Sequence, residues 1–162
     1  MARESDAEGL LRLLKRLDHE TRLMICEPEE RTTSLETQRE LLRGILATTN
    51  CVILLAEVNG RPLGFLEAPG GAFRRDRHVA HLVVGILKEH VGRGIGTALL
   101  AEAERWAREV GLRRLELTAM TDNRAAEALY EKAGFVVEET RRDSMLVDGS
   151  YVDEYYGAKL LE

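Results

Sequence analysis

Leu10, Leu11, Leu14 and Leu17 fall on one helical face behind Ser5-Asp6-Ala7-Glu8, which matches a capping box. They predict a helix from about residue 5 to about 17. A second stripe of Leu35, Leu42, Ile45 and Leu46, behind Thr33-Ser34-Leu35-Glu36, predicts a helix over roughly 34–48. LMICEPEERTT between them reads as an acidic loop. At residue 51 the period changes. CVILLAEV predicts a strand, Asn59-Gly60 a two-residue turn, and RPLGFLEA its hairpin partner. Pro62 stands near the start of that partner, where a missing amide is tolerated. After the loop PGGAFRRDR, HVAHLVVGIL is apolar enough for a central strand. Apolar residues at 95, 99, 103, 106 and 110 mark the inner face of a helix from Ile95 to Val110, with Trp106 in the core. RRLELTAM predicts a strand, and Asn123 to Ala133 a short helix ended by Gly134. FVVEETRRDSMLV, Asp148-Gly149 and SYVDEYYGAKLL predict a long closing hairpin. The order implies an α/β (α+β) fold, with a mixed central sheet and helices on both faces.

Composition narrows the function classes. The chain has 162 residues, the size of one domain over 1–162, and neither repeat nor linker interrupts it. Its 44% hydrophobic content supplies a core. A net charge of −5 argues against a nucleic-acid binder, which carries a basic footprint. Cys26 and Cys51 form no C-x-x-C pair, so a disulfide scaffold is excluded and a reducing cytoplasm is the expected compartment. No apolar run reaches the roughly 18 residues of a membrane span, and MARESDAEG reads as neither signal nor transit peptide. His78 and His81 lie three apart on a strand and point to opposite faces, so no metal site is expected.

The sharpest feature is Val91-Gly92-Arg93-Gly94-Ile95-Gly96-Thr97, between a predicted strand and a predicted helix. Glycines let the main chain approach a ligand closely, and free amides at a helix start attract anions. A phosphate or pyrophosphate seat is the functional reading; a tight turn without ligand is the other. Thr97 has no Lys before it, so a P-loop is excluded. The dinucleotide fingerprint G-x-G-x-x-G would place its last glycine at Thr97 or at Leu99. Glu116, at about the spacing of a ribose-binding acid, keeps a dinucleotide oxidoreductase as an alternative.

From about His78 to Phe135 the chain resembles the GNAT superfamily of acyl-CoA-dependent N-acyltransferases. The family's Gln/Arg-x-x-Gly-x-Gly/Ala loop falls on Val91 to Gly96, with Val91 in the usually polar first position. Its second signature, Asn-x-x-Ala-x-x-Leu-Tyr-x-x-x-Gly-Phe, falls on Asn123, Ala126, Leu129, Tyr130, Gly134 and Phe135. The other elements follow the family order, which implies a mostly antiparallel sheet. Only Met1 to Arg3 precede the first helix, which leaves a stub or no strand where the family has its first.

The resemblance implies acetyl-CoA as donor and a primary amine, on a small molecule or peptide, as acceptor. The amides of Gly92, Arg93, Gly94, Ile95, Gly96 and Thr97 would hold the pyrophosphate. Ile86 and Leu87 would meet the thioester arm, and the Ile86 amide would stabilise the oxyanion. A bulge at Gly85 would splay the sheet to admit it. Asn123 and Ala126 would help hold the cofactor. Tyr130 is the candidate general acid for the departing thiolate. His81 and Glu67 are the candidate bases, with Glu116 a further one. Arg74, Arg75, Arg77, Arg93, Arg124 and Lys132 are candidate phosphate partners or plain solvated charges. The loops at 18–33 and 68–77 and the closing hairpin would set acceptor choice, with acidic Glu27, Glu29 and Glu30 facing a cation. One of the adjacent Tyr155 and Tyr156 would line the acceptor cleft. The hairpin's long edge is a candidate homodimer surface. An acyl-CoA sensor without turnover is the alternative from outside enzymology.

Overall fold

The computed structural model describes residues 1–162. Helix α1 spans Ala7–Glu20 and α2 Leu35–Leu46. Strands β1 (Val52–Val58), β2 (Arg61–Ala68) and β3 (Val79–Ile86) follow, then α3 (Ile95–Glu109), β4 (Arg114–Met120) and α4 (Arg124–Lys132). Strands β5 (Val136–Val147) and β6 (Ser150–Leu160) close the chain. The sheet has the order β1-β2-β3-β4-β6-β5, and every pair is antiparallel except β3–β4. This is the mixed, mostly antiparallel sheet expected, and it is not the doubly wound parallel sheet of a dinucleotide enzyme.

Strand alternation sorts the core into two layers. Leu54, Leu66, Ala80, Leu82, Leu115 and Leu117 pack with Leu99, Ala103 and Trp106 of α3 on one face. Ile53, Phe65 and Leu87 pack with Leu10, Leu13 and Leu17 of α1 and Leu42 of α2 on the other. Asn59 and Gly60 (φ 50° and 72°), like Asp148 and Gly149 (51° and 77°), supply the left-handed turns of the two hairpins.

Two local expectations change, those for the capping box and for Gly85, while the stub expected ahead of α1 is present. The Ser5–Glu8 capping box does not form. The chain enters α1 through a 3-10 turn over Glu4–Asp6, and the Arg3 amide donates to Asp6 Oδ2 at 2.6 Å. The family's first strand is reduced to one backbone bond, Ala2 N–H to the Ile53 carbonyl at 2.8 Å. Gly85 is not bulged, since β2 and β3 pair in unbroken register from Gly64↔Ile86 to Glu67↔Val83. Its missing side chain serves packing instead: a Cβ there would stand 2.6 Å from Phe65 Cε1 and 2.8 Å from Leu17 Cδ1.

Candidate active site

The sheet opens between β3 and β4. Their pairing ends at Leu82↔Leu117, while β3 runs on against β2 to Ile86. The Leu87 amide donates to the Leu63 carbonyl (2.9 Å) and the His81 amide to the Pro69 carbonyl (3.1 Å). Odd-numbered residues of β3 therefore bond β2. By the alternation of an antiparallel ladder, Val84 and Ile86 turn their amides toward the missing side of β4. The slot comes from one strand pair ending early rather than from a bulge. Leu87 offers nothing to it. Its amide is taken by Leu63, its carbonyl accepts from His90 N–H (2.8 Å), and its side chain is in the core.

The glycine loop stands at the end of β3, opening α3. The amides of Gly92, Arg93, Gly94, Ile95, Gly96 and Thr97 find no acceptor in the chain. Gly92 and Gly94 have φ of 79° and 82°, where a side chain would be strained, and Gly94 caps α3 without a side-chain bond. Gly96 plays another part. A Cβ there would lie 2.7 Å from Leu129 Cδ2 and 3.3 Å from Ile86 Cδ1, so its bareness lets α4 and β3 close on the start of α3. Aligned free amides and the helix dipole make this turn an anion seat.

Asn123 caps α4, its Oδ1 accepting from the Ala126 amide at 3.1 Å. That bond commits both residues to helix structure before any cofactor is considered. Tyr130 lies on the α3/α4 side, packed on the core and tilted against Phe135 with ring centroids 6.0 Å apart. Burial pushes its phenol up to about 12, so it stays protonated at neutral pH.

On the opposite face stand the candidate bases. Glu67 shares the side of β2 that carries Phe65. His81 lies diagonally from it across β3, since Glu67 pairs with Val83. His81 is in register with Glu116 of β4, and its ring centroid is 6.4 Å from that of Tyr156. Burial lowers the His81 pKa, with the Glu116 charge opposing, so the imidazole is neutral at pH 7. Burial raises the Glu67 carboxyl, with Arg31 pulling it back. Glu116 is occupied: Arg114 and the Tyr156 hydroxyl both donate to it. Tyr156 is thus the hairpin tyrosine on the candidate-base face.

Asp18 and Arg31 form an ion pair that sequence reasoning did not single out. The Asp18 side chain is 0% exposed and that of Arg31 15%. Two guanidinium nitrogens donate to the carboxylate, which pins the α1–α2 loop to α1. A carboxylate beside Leu17, on the buried flank of the helix, was the available signal. Asn50 does the same for the 68–77 loop, its Nδ2 donating to the carbonyls of Gly71 (2.9 Å) and Arg77 (3.3 Å). Arg74, Arg75 and Arg77 remain exposed. A cleft of about 350 Å³ separates the α1–α2 loop (Thr21, Met24, Cys26, Glu27) from the hairpin (Met145, Asp148). Two of the three segments expected to choose the acceptor therefore meet.

Comparison with known proteins agrees with this architecture. An L-amino acid N-acetyltransferase of Escherichia coli (strain K12) is 33% identical over 111 residues, covering 66% of this chain and 67% of that one. In other curated relatives the aligned stretch spans 20% to 39% of their length. The crystal structure of a GNAT-family acetyltransferase from Streptococcus pneumoniae superposes with a TM-score of 0.95 at 32% identity, covering 99% of this chain and 96% of that one. A Salmonella typhimurium protein described as a putative acetyltransferase with its cofactor acetyl-CoA shares the fold (TM-score 0.88, 19% identity, 99% and 91% covered). Residues 14–135, from within α1 to the phenylalanine that follows α4, match the acetyltransferase (GNAT) family, and the chain belongs to it.

Proposed function

We propose that this protein transfers the acetyl group of acetyl-CoA to a primary amine by direct attack on the thioester. The observation that carries the reading is the run of acceptorless amides from Gly92 to Thr97 at the mouth of the β3–β4 slot. The cofactor seen in the Salmonella typhimurium relative supports the choice of donor.

The pyrophosphate would accept from those amides, and the pantetheine arm would follow β3 into the slot. The Ile86 amide, turned into the slot, would donate to the thioester carbonyl and stabilise its charge as it becomes an oxyanion. The acceptor approaches from the face that carries His81 and Glu67. A Lys-like ammonium has a pKa of about 10.4, so it must lose a proton before attack. Neutral His81, with Glu67 beside it, takes that proton. The N–C bond forms, the adduct collapses with cleavage of the C–S bond, and the second proton of the nitrogen passes to solvent, from which Tyr130 is later reprotonated. Tyr130, on the donor's side of the sheet, protonates the departing thiolate. Acid and base thus work on opposite faces of one slot, and neither neutralises the other. Glu27, Glu29 and Glu30 on the acceptor loop favour a cationic amine.

The test is release of free CoA thiol from acetyl-CoA with a panel of amines that begins with L-amino acids and extends to polyamines and peptide N-termini. The expected result is amine-dependent release with at least one class. Acetyl-CoA binding by calorimetry without release to any amine would establish the sensor reading, and no binding at all would refute both.

A further inference from the structure

On the face that carries His81, Glu116 accepts from Arg114 and the Tyr156 hydroxyl, and Glu154 accepts from the Ser144 hydroxyl at 3.0 Å. Asp18 accepts from two guanidinium nitrogens of Arg31. Glu67 differs. It is half-buried in β2, and its carboxylate has neither a hydrogen bond nor an ion pair. Taking a carboxylate out of water without a partner is unfavourable, so the open position calls for a reason.

Its surroundings hold a cation that is engaged elsewhere. β1 places Ile53 opposite Glu67, and β3 places Val83 opposite and His81 diagonally. Asp18 comes from α1 and Arg31 from the α1–α2 loop, and Cys26 of that loop bears on Arg31. Arg31 is the one charged group that bears on Glu67, and each shifts the other. Yet Nε and Nη2 of Arg31 both donate to Asp18. Two parallel bonds to one carboxylate fix the direction of a guanidinium as well as its place. We infer that Asp18 is a positioning residue: it holds the Arg31 guanidinium off Glu67 and keeps that carboxylate free to receive the ammonium of the acceptor. Two carboxylates against one guanidinium leave a net negative charge where a cation has to dock, and an Arg31 released from Asp18 would cancel it. The ammonium rests on the acyl-transfer reading; the placement of Asp18, Arg31 and Glu67 does not.

The experiment follows the Glu67 side-chain carboxyl by carbon NMR through a pH titration of the full chain, with folding checked by circular dichroism. In the wild type its midpoint should lie above the ordinary value of about 4.3, because burial outweighs the held Arg31. Asp18→Asn frees the guanidinium to pair with Glu67. The midpoint should fall by about one pH unit or more, and KM for the amine should rise about tenfold with acetyl-CoA affinity unchanged. Removing the cation as well, in Asp18→Asn with Arg31→Gln, should return the midpoint to the wild-type value or above and recover most of the KM. A role confined to pinning the loop predicts no such recovery, since both variants have lost the pin. Glu67→Gln decides the matter even where Asp18→Asn does not fold. A half-buried carboxylate with a raised pKa costs stability at neutral pH and none once it is protonated. The Gln variant should therefore have a higher Tm than the wild type at pH 7, with the gain gone below about pH 4. A Glu67 midpoint indifferent to Asp18→Asn, a double variant no better than the single one, or a lower Tm for Glu67→Gln at pH 7 would overturn the inference. Midpoints that move as stated in a protein that acetylates no amine would refute the acyl-transfer reading and support the placement of Asp18.

Discussion

Tyr130 and His81 carry sharp consequences at the scale of single residues. Burial holds the Tyr130 phenol up to about 12, so it stays protonated at neutral pH and keeps a proton available for the departing sulfur. Replacement by Phe keeps the packing against Phe135 and removes the proton. Turnover should fall by about a hundredfold, the usual worth of a general acid, while acetyl-CoA affinity in calorimetry stays nearly constant. Unchanged turnover would remove Tyr130 from the chemistry. His81 makes a prediction about pH. Its pKa lies below the ordinary value of about 6.5, because burial disfavours the imidazolium more than Glu116 favours it. As the proposed base, His81 is competent above that lowered value and fails as pH falls through it. The acidic limb of kcat, measured with both substrates saturating, should lie below about pH 6.5 and vanish in His81→Gln. A limb that persists in the variant belongs to another group, with Glu67 the first to examine.

At the scale of elements, the glycines divide by mechanism. Gly92 and Gly94 are needed for backbone conformation, whereas Gly85 and Gly96 are needed for the space a side chain would fill. Gly85→Ala would press a methyl into Phe65 and Leu17, which joins α1 to the strand that lines the slot. The expected loss is about 1–3 kcal/mol in urea unfolding, with the m-value unchanged. Gly44 is the internal control. It lies in α2 with nothing within 4 Å of an added Cβ, and Ala there should be neutral or stabilising by up to about 1 kcal/mol. Equal effects at the two positions would mean that β3 and α1 are less tightly joined than the distances state. The N-terminal cap shows how local chemistry can choose among neighbours. Ser5 and Glu8 match the pattern, yet Asp6 reaches the Arg3 amide first and the helix enters through a tighter turn. Ser34, by contrast, caps α2 as expected, accepting from Thr37 N–H at 3.1 Å.

At the scale of the whole molecule, the site is a consequence of sheet topology. β3–β4 is the one parallel pair, and its partners diverge after Leu82 and Leu117 while each keeps its antiparallel neighbour. Splaying leaves main-chain amides facing a gap in the middle of a sheet, where water or a pseudo-strand must satisfy them. Helices α3 and α4 cover one side of the gap and bring the anion seat and Tyr130. The other side has α1 and α2 over β1 and β2, which leaves the band of His81, Glu116 and Tyr156 less covered. One slot thus has two entrances of different character. The Asp18–Arg31 pair fixes the rim of the proposed acceptor entrance, because a buried carboxylate left without its cation is costly and the loop that carries Arg31 is bound to stay.

The amino-acid pattern by itself determined the elements, to within about three residues at their ends, and the glycine turn. Each is written in a local signal: a period of two or of 3.6, a left-handed turn pair, or a glycine where φ must be positive. It also placed Tyr130 on the same short helix as Asn123. Only the tertiary structure decided which amides are free, because Leu87 and Ile86 are equivalent in sequence and differ solely in which neighbour their strand faces. It likewise decided that Gly85 is a packing residue, that Asp18 meets Arg31, and that Glu67, His81 and Tyr156 share a face. Those facts depend on register and on contacts between residues far apart in the chain, and no window of sequence holds both partners at once.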